Sequence, residues 1–169
     1  TDPLDPDTDD DGTLDGNETF TTERRNRTLD ASVDITGQGN VGAGVTVANG
    51  SDPQIDATPT VQSARVSPVV EFEADTDFDS ANVTIGYNAS EVSNPSDLAI
   101  YRRNETTGGY EPLDSTVDPA SGTVTATTTH FSKFVVFNVT DWQSNYGAVE
   151  PPNLQDEASI TPVDTVFVL

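Results

Sequence analysis

Cysteine and methionine are absent from this 169-residue chain, and histidine and lysine each occur once, as His130 and Lys133. Without cysteine there are no disulfides and no thiolate metal sites, so the fold must rest on its core and on whatever metal its oxygen ligands can hold. A single histidine rules out a two-histidine zinc site and makes a Ser-His-Asp hydrolase a poor reading. Basic residues number 7 against 29 acidic ones, a net charge of -22. The cations gather only at Arg24, Arg25, Arg27 and at Arg102, Arg103, too few to neutralise a phosphate backbone, so nucleic acid is excluded as a partner and cations become the natural ones. No apolar run approaches the ~20 residues of a membrane span. A secretory leader pattern is also missing and the first residue is not Met, which reads as a mature or excised segment.

Only 33% of residues are hydrophobic, a value that with such a charge suggests disorder in ordinary buffer. The pattern says otherwise. Val70, Phe72 and Ala74 alternate with Glu71, Glu73 and Asp75, and Ala81, Val83, Ile85 and Tyr87 alternate with Asn82, Thr84 and Gly86, the period of two of a half-buried strand. A folded, strongly acidic chain with one lysine suits concentrated salt, where a Debye length of roughly 3 Å at 1 M screens self-repulsion while carboxylates keep the surface hydrated. The composition therefore points to a halophilic source.

Residues 1–28 read as an acidic calcium-binding repeat and linker, 29–143 as a β-sandwich domain, and 144–169 as a proline-containing linker with a terminal strand. Strands are expected at Leu29–Thr36, Ala43–Ala48, Arg65–Ala74, Ala81–Tyr87, Leu98–Arg103, Gly109–Leu113, Gly122–Thr128 and Ser132–Val139. Turn residues between them predict an all-β, antiparallel sandwich with little helix. Hairpins are marked at Asn104–Gly108 and at Asp118–Ser121.

The sharpest chemical pattern is Asp7-x-Asp9-x-Asp11-Gly12-x-x-Asp15-x-x-Glu18. Calcium takes six to eight oxygens, and the carboxylates of Asp7, Asp9, Asp11 and Asp15, the carbonyl of Thr13 and a bidentate Glu18 have the spacing of a twelve-residue calcium loop with Gly12 at the sharp turn. Thr19-Phe20-Thr21-Thr22 is poor material for the second helix of a paired calcium sensor. The loop instead resembles thrombospondin type 3 and related extracellular DxDxDG repeats, a resemblance that implies a stiffened stalk rather than an intracellular switch.

Leu98–Asn104, Gly109–Leu113, Gly122–Thr129 and His130-Phe131-Ser132-Lys133-Phe134-Val135-Val136-Phe137 resemble a β-domain of prokaryotic surface proteins and, more loosely, the ZU5 family. In some such domains a His-Phe-Ser turn cleaves itself. That resemblance would make Ser132 the nucleophile, His130 its base and Phe131-Ser132 the scissile bond; the plainer reading is a strand whose Phe134 and Val136 face the core. The ending Ile160–Leu169 resembles the first strand of a von Willebrand factor A domain, stopping before its metal motif, and an apolar Thr165–Leu169 strand could join another subunit's sheet or be the last strand of this chain's own sandwich. Tyr101, Tyr110 and Trp142 could serve as glycan contacts but read first as packing.

Asn-x-Ser/Thr sequons stand at Asn17, Asn26, Asn49, Asn82, Asn88, Asn104 and Asn138, and proline excludes Asn94-Pro95-Ser96. Asn82 and Asn104 are the expected glycan carriers, while Asn138 is read as facing the core. The resulting expectation is a non-enzymatic, extracellular, cell-surface module that binds calcium. It would act as a stalk, spacer or filament subunit, with other surface-protein subunits or the rest of a longer surface protein as partners, and it could polymerise by strand donation.

Overall fold

The computed structural model describes residues 4–57 and 64–140. Ten strands form two five-stranded antiparallel sheets. They are β1 (Thr19–Asn26), β2 (Ala31–Gln38), β3 (Thr46–Asn49), β4 (Val70–Glu73), β5 (Ser80–Gly86), β6 (Leu98–Arg103), β7 (Tyr110–Pro112), β8 (Ser115–Asp118), β9 (Thr123–Thr128) and β10 (Lys133–Asn138). The first sheet has the order β1-β2-β5-β9-β8 and the second β3-β4-β10-β6-β7. The chain is thus the all-β, antiparallel sandwich its alternation predicts. Among the described residues, no helix is long and apolar enough to cross a membrane.

Alternation sets which side chains meet between the sheets. Val33 and Ile35 of β2, Ala81, Val83 and Ile85 of β5, and Val124 and Ala126 of β9 face Val70 and Phe72 of β4, Ile100 of β6, and Phe134 and Val136 of β10. β10 lies between β4 and β6 and is buried on both faces, which is why it reads as a continuous apolar run. Its even residues enter the inter-sheet core, as expected. Its odd residues, Val135 and Phe137, enter a second cluster with Tyr101, Tyr110, Val69, Ile55 and Ala64 on the outer face of the second sheet. A short helix, α1 (Pro53–Ala57), supplies Ile55 to that cluster.

Two strands were not anticipated. Thr19–Asn26 falls within the acidic segment that composition marks off as a linker, yet it is β1, paired residue by residue with β2 from Thr19↔Gln38 to Asn26↔Ala31. The sandwich therefore starts at Thr19, not Leu29. An edge strand needs few apolar side chains: β1 contributes Phe20 to the core, and its exposed Glu23 and Arg25 discourage edge-to-edge pairing. The other addition is β8, which pairs with β9 across the Asp118–Gly122 turn. Conversely, the strand expected over Arg65–Ala74 shrinks to Val70–Glu73. Pro68 has no N–H to donate, and Arg65 makes only an isolated bridge with Phe137. The expected linker and terminal strand in 144–169, and Trp142, lie outside the described residues.

A polar cluster shares Tyr110 with this outer apolar cluster. Asp52 is 2% exposed and accepts a hydrogen bond from the Tyr110 hydroxyl at 3.0 Å. Arg103 Nε lies 3.0 Å from the same carboxylate oxygen, a charge pairing rather than an aligned hydrogen bond. Burial first, and then the Asp52 charge, push the Tyr110 phenol well above its ordinary range. The unfolded phenol ionises near 10. The stabilisation is therefore complete below about pH 10 and is lost as pH rises towards the higher folded value. Denaturant midpoints measured across the alkaline range should fall steeply for the native chain and less so for Tyr110→Phe; parallel curves would contradict this origin of alkaline sensitivity.

Candidate metal centre and the His130 cleft

Gly12, at φ +90°, lets the Asp-rich loop fold back on itself. The Gly12 N–H donates to Asp7 Oδ2 at 3.0 Å, and the Thr13 N–H donates to Asp11 Oδ1 at 2.7 Å. The loop is closed by the Asp15 N–H on the Pro6 carbonyl at 2.9 Å. These bonds bring one carboxylate oxygen from each of Asp7, Asp9 and Asp11 within 4.8 Å of one another. Ligands at 2.3–2.6 Å from one ion can be at most about 5 Å apart, so the trio fits a single coordination shell.

Asp7 Oδ1 is buried and has no hydrogen-bond partner. Such an atom is costly to bury unless something positive faces it. The donor set is all oxygen, which suits a hard cation. The three aspartates could therefore hold a metal ion.

The other expected ligands are arranged differently. Asp15 is turned to Thr8, accepting its N–H at 2.9 Å and its hydroxyl at 2.8 Å, and these bonds, the backbone one foremost, lower its pKa. It braces the loop; at this position a calcium loop commonly ligates through water. Glu18 and Thr13 line a cleft of about 500 Å³ with Asp9 and Asp11, but Glu18 stands outside the close trio. Desolvation, followed by the charges of Asp9, Asp15, Asp11 and Asp7, raises the Glu18 pKa. Its carboxylate thus feels the whole acidic loop. The Glu18 carbonyl accepts the Gly39 N–H at 3.0 Å, and β1 begins at the next residue, so the loop is continuous with the first sheet.

His130, Phe131 and Ser132 line a second cleft, of about 690 Å³, with Phe72, Phe78 and Glu105. Phe131 is half-buried against the core, its ring centroid 4.4 Å from that of Phe78 and 5.9 Å from that of Phe72. The Ser132 hydroxyl donates to Glu105 Oε1 at 2.6 Å, while His130 Nδ1 pairs with the Thr129 hydroxyl at 2.9 Å. Serine's partner is therefore Glu105 and not His130. Glu105 is itself paired with Arg103 Nη1 at 2.7 Å. Neither Phe131 nor Ser132 has a positive φ.

Asn82 is exposed on β5, its carbonyl oxygen accepting the Thr127 hydroxyl at 2.8 Å. Asn104 is half-buried in the β6–β7 turn, where its Oδ1 accepts the N–H groups of Thr106 and Thr107 and its Nδ2 donates to Glu111 at 2.6 Å. Asn138 is 3% exposed, in keeping with its reading as a core position. The Asp52–Arg103–Tyr110 cluster escaped sequence reasoning because residues this far apart carry no joint local signal.

No family model matches the chain, and no solved structure matches it. A stretch of 55 residues, 32% of this chain, is 38% identical to an amylopullulanase of Thermoanaerobacterium thermosulfurigenes. The match spans 3% of that protein, so it marks a short local similarity within a much longer chain.

Proposed function

We propose that this chain is an extracellular, calcium-stabilised structural or adhesion module of a haloarchaeal surface protein. It serves as a stalk, spacer or filament subunit, with other subunits or the rest of a longer surface protein as its partners. The observation that carries this reading is the buried, unpartnered Asp7 Oδ1 beside the carboxylates of Asp9 and Asp11, in a loop that runs directly into β1. A cation there would tie the acidic segment to the sheet and relieve the mutual repulsion that Glu18 experiences. The charge of -22 with one lysine supports a high-salt setting. The partial match to 3% of an amylopullulanase is compatible with a small β-module carried within longer chains.

Calorimetric titration with calcium in concentrated salt tests the reading. The native chain should bind at one saturable site and melt at a higher temperature with calcium than with chelator, whereas Asp11→Ala combined with Glu18→Ala should remove both the heat and the shift. Equal titrations of the two proteins would reduce the loop to a solvated acidic segment and remove the basis for a calcium-stiffened stalk.

A further inference from the structure

The folded chain separates five of the seven sequons by what their amides already do; the other two, Asn17 and Asn49, are exposed. Asn138 is buried. The Nδ2 atoms of Asn26 and Asn104, to which a sugar would be joined, donate to the Val47 carbonyl at 2.9 Å and to Glu111 at 2.6 Å. Asn82 is exposed, but its sequon hydroxyl, on Thr84, pairs with Thr125 at 2.8 Å.

Asn88-Ala89-Ser90 differs from all of these. Asn88 is exposed, and its Oδ1 accepts both the Ser90 N–H at 3.2 Å and the Ser90 hydroxyl at 2.7 Å. Among the described residues it is the sequon whose own hydroxyl hydrogen-bonds the acceptor amide, and no bond engages its Nδ2. Donation to Oδ1 draws amide density towards oxygen, which makes the nitrogen's protons easier to remove, and the turn fixes the side chain outward. We propose that Asn88 is the preferred N-glycosylation site of this protein, its substrate a sugar activated as a glycosyl diphosphate.

In the transfer, Nδ2 gives a proton to a base of the transferase and bonds to the anomeric carbon. The carbon–oxygen bond to the diphosphate breaks, and the diphosphate leaves with the electron pair. Asn88 follows β5 at the end of the sandwich where Asn26 pairs with Ala31, opposite the end where Glu18 meets Gly39. A glycan there leaves the acidic loop open.

The chain contains its own comparison. Asn94-Pro95-Ser96 repeats the turn, with the Ser96 hydroxyl on Asn94 Oδ1 at 2.7 Å, but Asn94 Nδ2 donates to Asp97 at 3.0 Å and Pro95 occupies the middle position. Pro95→Ala thus creates a sequon with the same hydroxyl bond and an engaged nitrogen.

The inference rests on the extracellular reading only for where the chain meets its donor, and a secretory host supplies that setting. The full chain, secreted from a glycosylating host, should carry a glycan on the Asn88 peptide by mass mapping. Asn88→Gln should lose one glycan mass, Ser90→Thr should keep it, and Pro95→Ala should add none at Asn94 unless Asp97→Ala is also made. An unmodified Asn88 peptide, whether or not Asn82 or Asn104 carries sugar, would overturn the assignment and leave the calcium reading untouched. Failure of the calcium titration would in turn leave Asn88 unaffected.

Discussion

Asp52→Ala should cost about 3 kcal/mol or more of folding stability, the loss associated with removing one partner of a buried charge pair. The carboxylate is 2% exposed and holds two groups from the second sheet, the Tyr110 hydroxyl and the Arg103 guanidinium, each at 3.0 Å. Removing it leaves the phenol and part of the guanidinium facing a space that water reaches poorly, so their desolvation is no longer offset. Asp52→Asn keeps an acceptor for Tyr110 but loses the charge, and should fall between the native chain and Asp52→Ala. Glu105→Gln is the matched comparison: Glu105 binds the same arginine but its side chain is 60% exposed, so its loss should cost below about 1 kcal/mol. Denaturant unfolding in concentrated salt measures all three. Equal losses for Asp52→Ala and Glu105→Gln would mean that the burial of Asp52 is energetically unimportant.

The second large effect is expected at Phe137. Its ring is fully buried and meets Tyr101 edge-on at 5.4 Å and Tyr110 edge-on at 6.4 Å, outside the sandwich proper and beneath the segment that carries Ile55. Phe137→Ala should destabilise by roughly 3–5 kcal/mol, comparable to Phe134→Ala, whose ring packs between the sheets against Phe72 at 5.4 Å. Comparable losses would make the outer cluster a second core, whereas a Phe137→Ala loss under about 1 kcal/mol would make it a loosely held cover. Ile55→Ala provides an independent reading of the same packing from the other side.

Much of this architecture was legible because alternation is a local property. β5, β6, β9 and β10 fall within a residue or two of the spans marked by their apolar period and their turn residues, since a strand with one face buried must repeat every second residue. β1 was not legible. Its sequence, Thr-Phe-Thr-Thr-Glu-Arg-Arg-Asn, places one large apolar residue on the core face, and it is a strand because β2 offers a full ladder of backbone partners. Pro68 shortened β4 for the opposite local reason, through a missing donor.

The acidic loop divides in the same way. Carboxylates at alternate positions around Gly12 were plain in the sequence, because a metal shell imposes its spacing on neighbouring residues. That Asp15 would brace Thr8, and that Glu18 would stand apart from the trio while sensing its charge, depends on the path of the loop into β1. The Ser132–Glu105 bond also reflects sheet packing, which brings the β6–β7 turn against the start of β10 across 27 residues of sequence.

By itself, then, the sequence determined the fold class, the acidic surface, the candidate ligand spacing and the positions of the sequons, all of which follow from composition or short-range periodicity. Only the tertiary structure decided which strands close the edges, that β10 is buried on both faces, that Asp52 is buried against Arg103 and Tyr110, and which asparagine amides remain free. Each of those depends on contacts between residues distant in the chain, and the free energy of such a contact is set by the surroundings that folding creates rather than by the residues' own identity.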